Sequence, residues 1–146
     1  MPRWPLALAL ALIMTSVPLT AQAQSAPDMS IDVSDAALVR TPSFFKPQMT
    51  TATFVDHYTA VADASPIPVL LYNVTMFTGV NLLPEAVEQL AAHPNIIGIK
   101  ESGSDVAQMK EYIARTPADF VVLGGSATTF FDALCAGCNG GVLALA

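Results

Sequence analysis

Lys100 ends the run Asn95-Ile96-Ile97-Gly98-Ile99-Lys100-Glu101-Ser102. An apolar, β-branched run of this length, bounded by turn signals, reads as a strand buried on both faces of a parallel sheet, which takes the lysine inside. Removing an ammonium from water is costly unless it is paired, and burial favours loss of its proton. A neutral amine is a nucleophile that condenses with a carbonyl to give a Schiff base. The same residues also suit a lysine whose stem lies on the sheet while its head reaches water. Strand alternation puts Ile96, Gly98, Lys100 and Ser102 on one face, with Gly98 leaving space below the lysine. In the preceding apolar run Leu70, Tyr72 and Val74 share a face, and adjacent parallel strands lie about 4.8 Å apart. The Tyr72 hydroxyl is therefore expected within a few ångströms of the Lys100 nitrogen, placed to carry protons as a carbinolamine forms and collapses. Packing with a wetted hydroxyl is the other ordinary use of a tyrosine at a strand end.

Other residues offer weaker chemistry. Gly124-Gly125-Ser126 ahead of a helical stretch is a candidate anion cradle, although glycines at a strand-to-helix turn more often serve geometry. Cys135 and Cys138 form a Cys-x-x-Cys pair without the preceding strand and aromatic neighbour of a thioredoxin-like site. A zinc site would need two more ligands, and His57 and His93 lie far away on segments that read as helices, so no metal is expected. With six Lys and Arg against twelve Asp and Glu, and a net charge of −6, the chain has no basic face for nucleic acid. No Gly-x-Gly-x-x-Gly follows any strand, which excludes a dinucleotide fingerprint.

These residues must be positioned by alternating elements. A short strand at Ala36 to Val39 runs into Thr41-Pro42 and a turn-rich stretch. Thr50 or Thr51 can cap a helix with Phe54, Val55, Tyr58, Val61 and Ala62 on one side. Pro66-Ile67-Pro68 leads into the strand from Val69 to Val74, and Pro84 suits the first turn of a helix whose apolar face is Leu83, Ala86, Val87, Leu90 and Ala91. After the lysine strand come a helix with Val106, Met109, Tyr112 and Ile113 on one side, and the strand Phe120-Val121-Val122-Leu123. A helix through Phe130, Phe131 and Leu134 follows, and a last strand starts at Gly141. Five strands alternating with four helices predict a parallel sheet with right-handed crossovers, either doubly wound or part of a (β/α)₈ barrel.

The N-terminus is different in kind. Residues 1–24 hold Arg3, an apolar stretch from Leu6 to Ile13 and a small-x-small end at Ala21-Gln22-Ala23, the three parts of a secretory signal, too short for a comfortable membrane span. Residues 25–34, with Pro27 and no period, read as a linker.

Tyr72-Asn73-Val74 followed by Thr78-Gly79, then Gly98-Ile99-Lys100-Glu101-Ser102, resembles the dihydrodipicolinate synthase and N-acetylneuraminate lyase family of Schiff-base aldolases. Thr41-Pro42-Ser43-Phe44-Phe45, Gly125-Ser126-Ala127 and Gly140-Gly141-Val142 are most similar to its 4-hydroxy-2-oxoglutarate aldolase branch. The resemblance, over residues 35–146, implies the fourth to eighth strands of a (β/α)₈ barrel, pyruvate or a related 2-oxo acid held as an imine on Lys100, and no cofactor beyond that covalent link. It implies Tyr72 as proton relay, Val142 as a backbone contact to pyruvate, Ser126 as a contact to substrate, a homotetramer, and a cytoplasmic location. The leader, if genuine, implies export to the periplasm instead.

Four departures qualify the resemblance. The family's first three strands, with their carboxylate-binding loop, have no counterpart in residues 1–34. Phe44 and Phe45 stand where a tyrosine pair is usual, Thr75 where a proline is, and Phe77 where dihydrodipicolinate synthases carry an arginine. Five strands of a barrel leave open edges and an uncovered apolar face. The expected function is a pyruvate-dependent aldolase acting on a 2-oxo acid such as 4-hydroxy-2-oxoglutarate. The alternative is a non-catalytic fragment that binds a small oxo acid or is inactive.

Overall fold

The computed structural model describes residues 35–144; the leader and linker read over 1–34 lie outside them, as do residues 145–146. Five strands, β1 (Ala37–Arg40), β2 (Val69–Asn73), β3 (Ile96–Glu101), β4 (Val121–Gly124) and β5 (Gly140–Gly141), form one parallel sheet in the order β1-β2-β3-β4-β5. Each strand lies beside its neighbour in sequence. Right-handed crossovers in such an order keep every connecting helix on the same side, which is barrel winding; a doubly wound sheet reverses its strand order to cover both faces.

The helices start where local chemistry lets them. Thr50 Oγ1 accepts from the Thr53 N–H to open α1 (Thr51–Ala64), and the Asp105 carboxylate accepts from the Gln108 N–H to open α4 (Val106–Arg115). Two shorter helices lie between them, α2 (Thr75–Thr78) and α3 (Pro84–Leu90). Pro84 occupies the first turn of α3, where its missing N–H costs nothing. The chain continues beyond β4 through a 3₁₀ turn, Ala127–Thr129, into α5 (Phe130–Cys135).

The core is a single layer between sheet and helices. Phe54, Tyr58 and Ala62 of α1, Ala86, Val87 and Leu90 of α3, and Met109 and Tyr112 of α4 close over Val69, Leu71, Ile96, Ile99 and Val122. Asn95 ties the lower end together, its Nδ2 donating to the carbonyls of Ala62, Ser65 and Ile67. No described helix covers the opposite face of the sheet: along β2 and β4 fully buried residues alternate with half-buried ones, and Leu38 of β1 is 43% exposed. The apolar face expected from five strands is thus uncovered among the described residues. No helix among the described residues is long and apolar enough to cross a membrane.

Several expectations need correction. The strand expected to be buried on both faces, β3, is buried along nearly its whole length. The β2–β3 register shifts between Val69 and Leu70, placing Val69 opposite Ile96 and Leu70 opposite Gly98. That irregularity sends Ile96 into the core cluster, so the face shared with Lys100 begins at Gly98. Nor does Gly98 leave room: a Cβ there would strike the Val121 carbonyl and the Leu70 side chain. Leu83, assigned to the inner face of its helix, precedes α3 and is exposed, while α2 is a helical turn where only a loop is legible. His93 follows α3 in a turn, its Nδ1 accepting from the Asn95 N–H.

Candidate active site

The register brings Tyr72 directly beside Lys100, both near the carboxyl ends of adjacent parallel strands. Loops at that end of an open or closed parallel sheet are where α/β proteins build their sites. Lys100 is only 7% exposed, because Tyr72 and Leu123 flank it on the neighbouring strands and Gly125 closes in above. A Cβ on Gly125 would collide with Ser102 Oγ and come within 2.8 Å of Lys100 Cε, so glycine is what allows the lysine stem and the β4 end to approach. The Ser102 hydroxyl is buried without a hydrogen-bond partner among the described residues.

Lys100 Nζ stands 4.3 Å from the centroid of the Tyr72 ring. The amine therefore faces the aromatic ring. The two residues sit at the same level of their strands, which brings the ring of Tyr72 against the amine. The Tyr72 main chain is pinned from the other side, its carbonyl accepting from both the Thr41 N–H, at 3.1 Å, and Thr41 Oγ1, at 2.8 Å.

Behind the sheet lies a polar network that sequence reasoning missed. The buried Glu101 carboxylate accepts from Asn73 Nδ2 at 2.6 Å, from the Gly103 N–H at 2.5 Å and from Tyr112 Oη at 3.3 Å, with Gln108 adding a longer contact. Burial pushes the Glu101 carboxyl above its ordinary range, while these hydrogen bonds act the other way. Asn73 also accepts from the Leu82 N–H and donates to Asn81. The ends of β2 and β3, and hence Tyr72 and Lys100, are locked together through residues on the far face. The signal was there in the alternation: if Tyr72 and Lys100 face one way, Asn73 and Glu101 must face the core, where polar groups need partners.

The remaining site residues are less committed. Val142 is 47% exposed beyond β5, and its N–H donates to the Gly124 carbonyl. Ser126 follows β4, its Oγ 2.9 Å from Thr128 Oγ1. The Gly125 N–H donates to the Glu101 carbonyl, which removes it from any anion cradle at Gly124-Gly125-Ser126. Phe44, 90% exposed, projects from the loop after β1, and Phe77, 76% exposed, from α2. Cys138 is buried against Met109 while Cys135 is exposed, both as free thiols. A depression of about 340 Å³ lined by His93, Pro94, Ile97, Pro117 and Asp119 lies at the opposite end of the strands from Lys100.

Residues 13–146 match the Dihydrodipicolinate synthetase family. The chain belongs to that family. The match begins inside the stretch that reads as a leader. A 4-hydroxy-tetrahydrodipicolinate synthase of Stenotrophomonas maltophilia is 44% identical over 104 residues, covering 71% of this chain and 34% of the relative. One from Geobacter sulfurreducens is 42% identical over 113 residues, covering 77% and 38%. Among solved structures, a dihydrodipicolinate synthase of Bacillus anthracis superposes with a TM-score of 0.70 at 34% identity, over 74% of this chain and 36% of the other. The chloride-inhibited enzyme of Acinetobacter baumannii, complexed with pyruvate, gives 0.69 at 37% identity, over 74% and 36%. The chain thus spans little more than a third of the length of these relatives. The five-stranded sheet is part of a TIM barrel, and the relatives matched carry the synthase name; the 4-hydroxy-2-oxoglutarate branch is not singled out among them.

Proposed function

We propose that Lys100 condenses with the carbonyl of pyruvate or a related 2-oxo acid and that Tyr72 moves the protons of that chemistry. The observation that carries this reading is the Lys100 amine: enclosed, without an ion pair or hydrogen bond among the described residues, and set against a tyrosine at the carboxyl end of a parallel strand. The amine lone pair attacks the keto carbon, the oxygen takes a proton, and loss of water leaves an iminium. In the cleavage direction the bond between the third and fourth carbons breaks, its electrons move into the iminium as an enamine, and the hydroxyl on the fourth carbon gives up its proton as the aldehyde leaves. Protonation at the third carbon and hydrolysis then release pyruvate and the free lysine. Val142, through its carbonyl, and Ser126 are the proposed substrate contacts. No step in this scheme requires a metal or an organic cofactor.

For the second substrate, the exposed Phe77 of α2 presents no charge to an incoming semialdehyde carboxylate, which favours cleavage of a 2-oxo acid such as 4-hydroxy-2-oxoglutarate. A second reading, a non-catalytic binder of small oxo acids, is favoured by the open inner face around Leu38 and Val142. Incubation with pyruvate and borohydride, followed by peptide mass spectrometry, tests the imine. A reduced adduct on Lys100, absent from Lys100→Met, is the expected result; no adduct on Lys100 overturns it. Release of pyruvate from 4-hydroxy-2-oxoglutarate separates catalyst from binder.

A further inference from the structure

The row of residues facing the open side at the level of Lys100 does not stop at Tyr72. Arg40 of β1 is the register partner of Tyr72, as Tyr72 is of Lys100, so the three side chains share one face on three successive strands. Burial agrees: Val39 packs against the core on the helix side, while Leu38 and Arg40 are exposed on the other. The Arg40 guanidinium makes no ion pair with any described residue; the salt bridges among those residues belong to Arg115 and His93.

Two strand spacings put the Arg40 backbone about 10 Å from that of Lys100. A 2-oxo acid joined to Lys100 through its second carbon directs the rest of its chain away from the nitrogen. In a five-carbon diacid the far carboxylate sits three carbons further on, across the width of one strand. An arginine side chain is long enough to meet it there, and its planar fork pairs a carboxylate through two hydrogen bonds. Met76 and Phe77 of α2, which follows β2, are exposed and uncharged. We infer that Arg40 is the clamp for the distal carboxylate of a dicarboxylic 2-oxo acid held on Lys100. This rests on the imine proposed above and narrows its substrate to diacids.

The test compares 2-oxoglutarate with 2-oxopentanoate, equal in carbon count but lacking the second carboxylate. Each is titrated against the full chain with borohydride, and the concentration giving half-maximal adduct on Lys100 is measured. The unaltered chain is expected to favour 2-oxoglutarate by about tenfold, the scale of one charge-assisted pair at a partly solvated site. Arg40→Met should abolish the preference while trapping 2-oxopentanoate as before, which also shows that the variant is folded. Arg40→Lys should keep part of it. An undiminished preference in Arg40→Met, or no preference in the unaltered chain, overturns the clamp and leaves the imine standing. Failure of both acids to mark Lys100 overturns the imine and the clamp with it.

Discussion

Lys100 Nζ lies 4.3 Å from the centre of the Tyr72 ring, with the two residues paired across β2 and β3. Ring and hydroxyl thus have separable tasks. Tyr72→Phe keeps the aromatic wall beside the amine, so the final yield of pyruvate adduct should match that of the unaltered chain. Its rate of formation should fall by roughly 10²-fold or more, the usual loss when a positioned proton donor is removed. Tyr72→Ala should lower yield as well as rate. A time course of trapped adduct separates the two, and an unchanged rate in Tyr72→Phe would remove the hydroxyl from the mechanism.

Gly98 is fixed by the close approach of three strands. Gly98→Ala drives a methyl group into the Val121 carbonyl, which cannot move without shifting β4, and against the tip of Leu70. The expected cost is about 1–3 kcal/mol, the range for overpacking, read as a lower urea midpoint at unchanged slope.

Glu101 gives the fold a pH dependence of definite sign. Its carboxyl titrates above the ordinary value of 4.5, chiefly through burial, so the folded state holds this proton more tightly than the unfolded chain. The stability gained is full below that ordinary value and is lost as pH rises through the raised one. Glu101→Gln resembles the protonated acid at every pH. The unaltered chain should therefore lose ground to this variant between mildly acidic and neutral pH. Urea denaturation of both proteins across that interval is the check, and parallel curves would contradict it.

The helix caps make a quieter prediction. Thr50→Ala and Asp105→Ala each remove a side-chain acceptor from the first turn of α1 and α4, at about 1 kcal/mol apiece. The caps sit on separate helices and share no partner, so the double variant should show the sum within experimental error by chemical denaturation.

How far the sequence spoke for itself depended on period. Runs with a clear rhythm were legible: the Thr50 cap, the start of α3 at Pro84 and the strand from Val69 appear where spacing puts them. Strand ends moved by a residue, as at Ala37–Arg40, because the last pairings are set by the neighbouring strand and not by the run itself. The pairing of Tyr72 with Lys100 could be inferred from alternation; ring against amine could not, since that depends on the relative height of two strands. The Ile96 irregularity and the tight seat of Gly98 were hidden for the same reason. Thr41 gave no sign of its hold on the Tyr72 carbonyl, which joins residues 31 apart in sequence.

Lys100 and Glu101 are covalent neighbours, a base and an acid that never meet, for the strand turns one toward the open side and the other toward α4. The sheet works as a partition, with the acid detained among amides on its own side. The carboxylate best placed by sequence to quench the amine is denied access to it. Sliding β3 by a single residue would exchange the two, handing an acid to the substrate side and dropping an ammonium among Met109 and Tyr112. Faithful strand alignment is thus the condition on which the nucleophile exists at all.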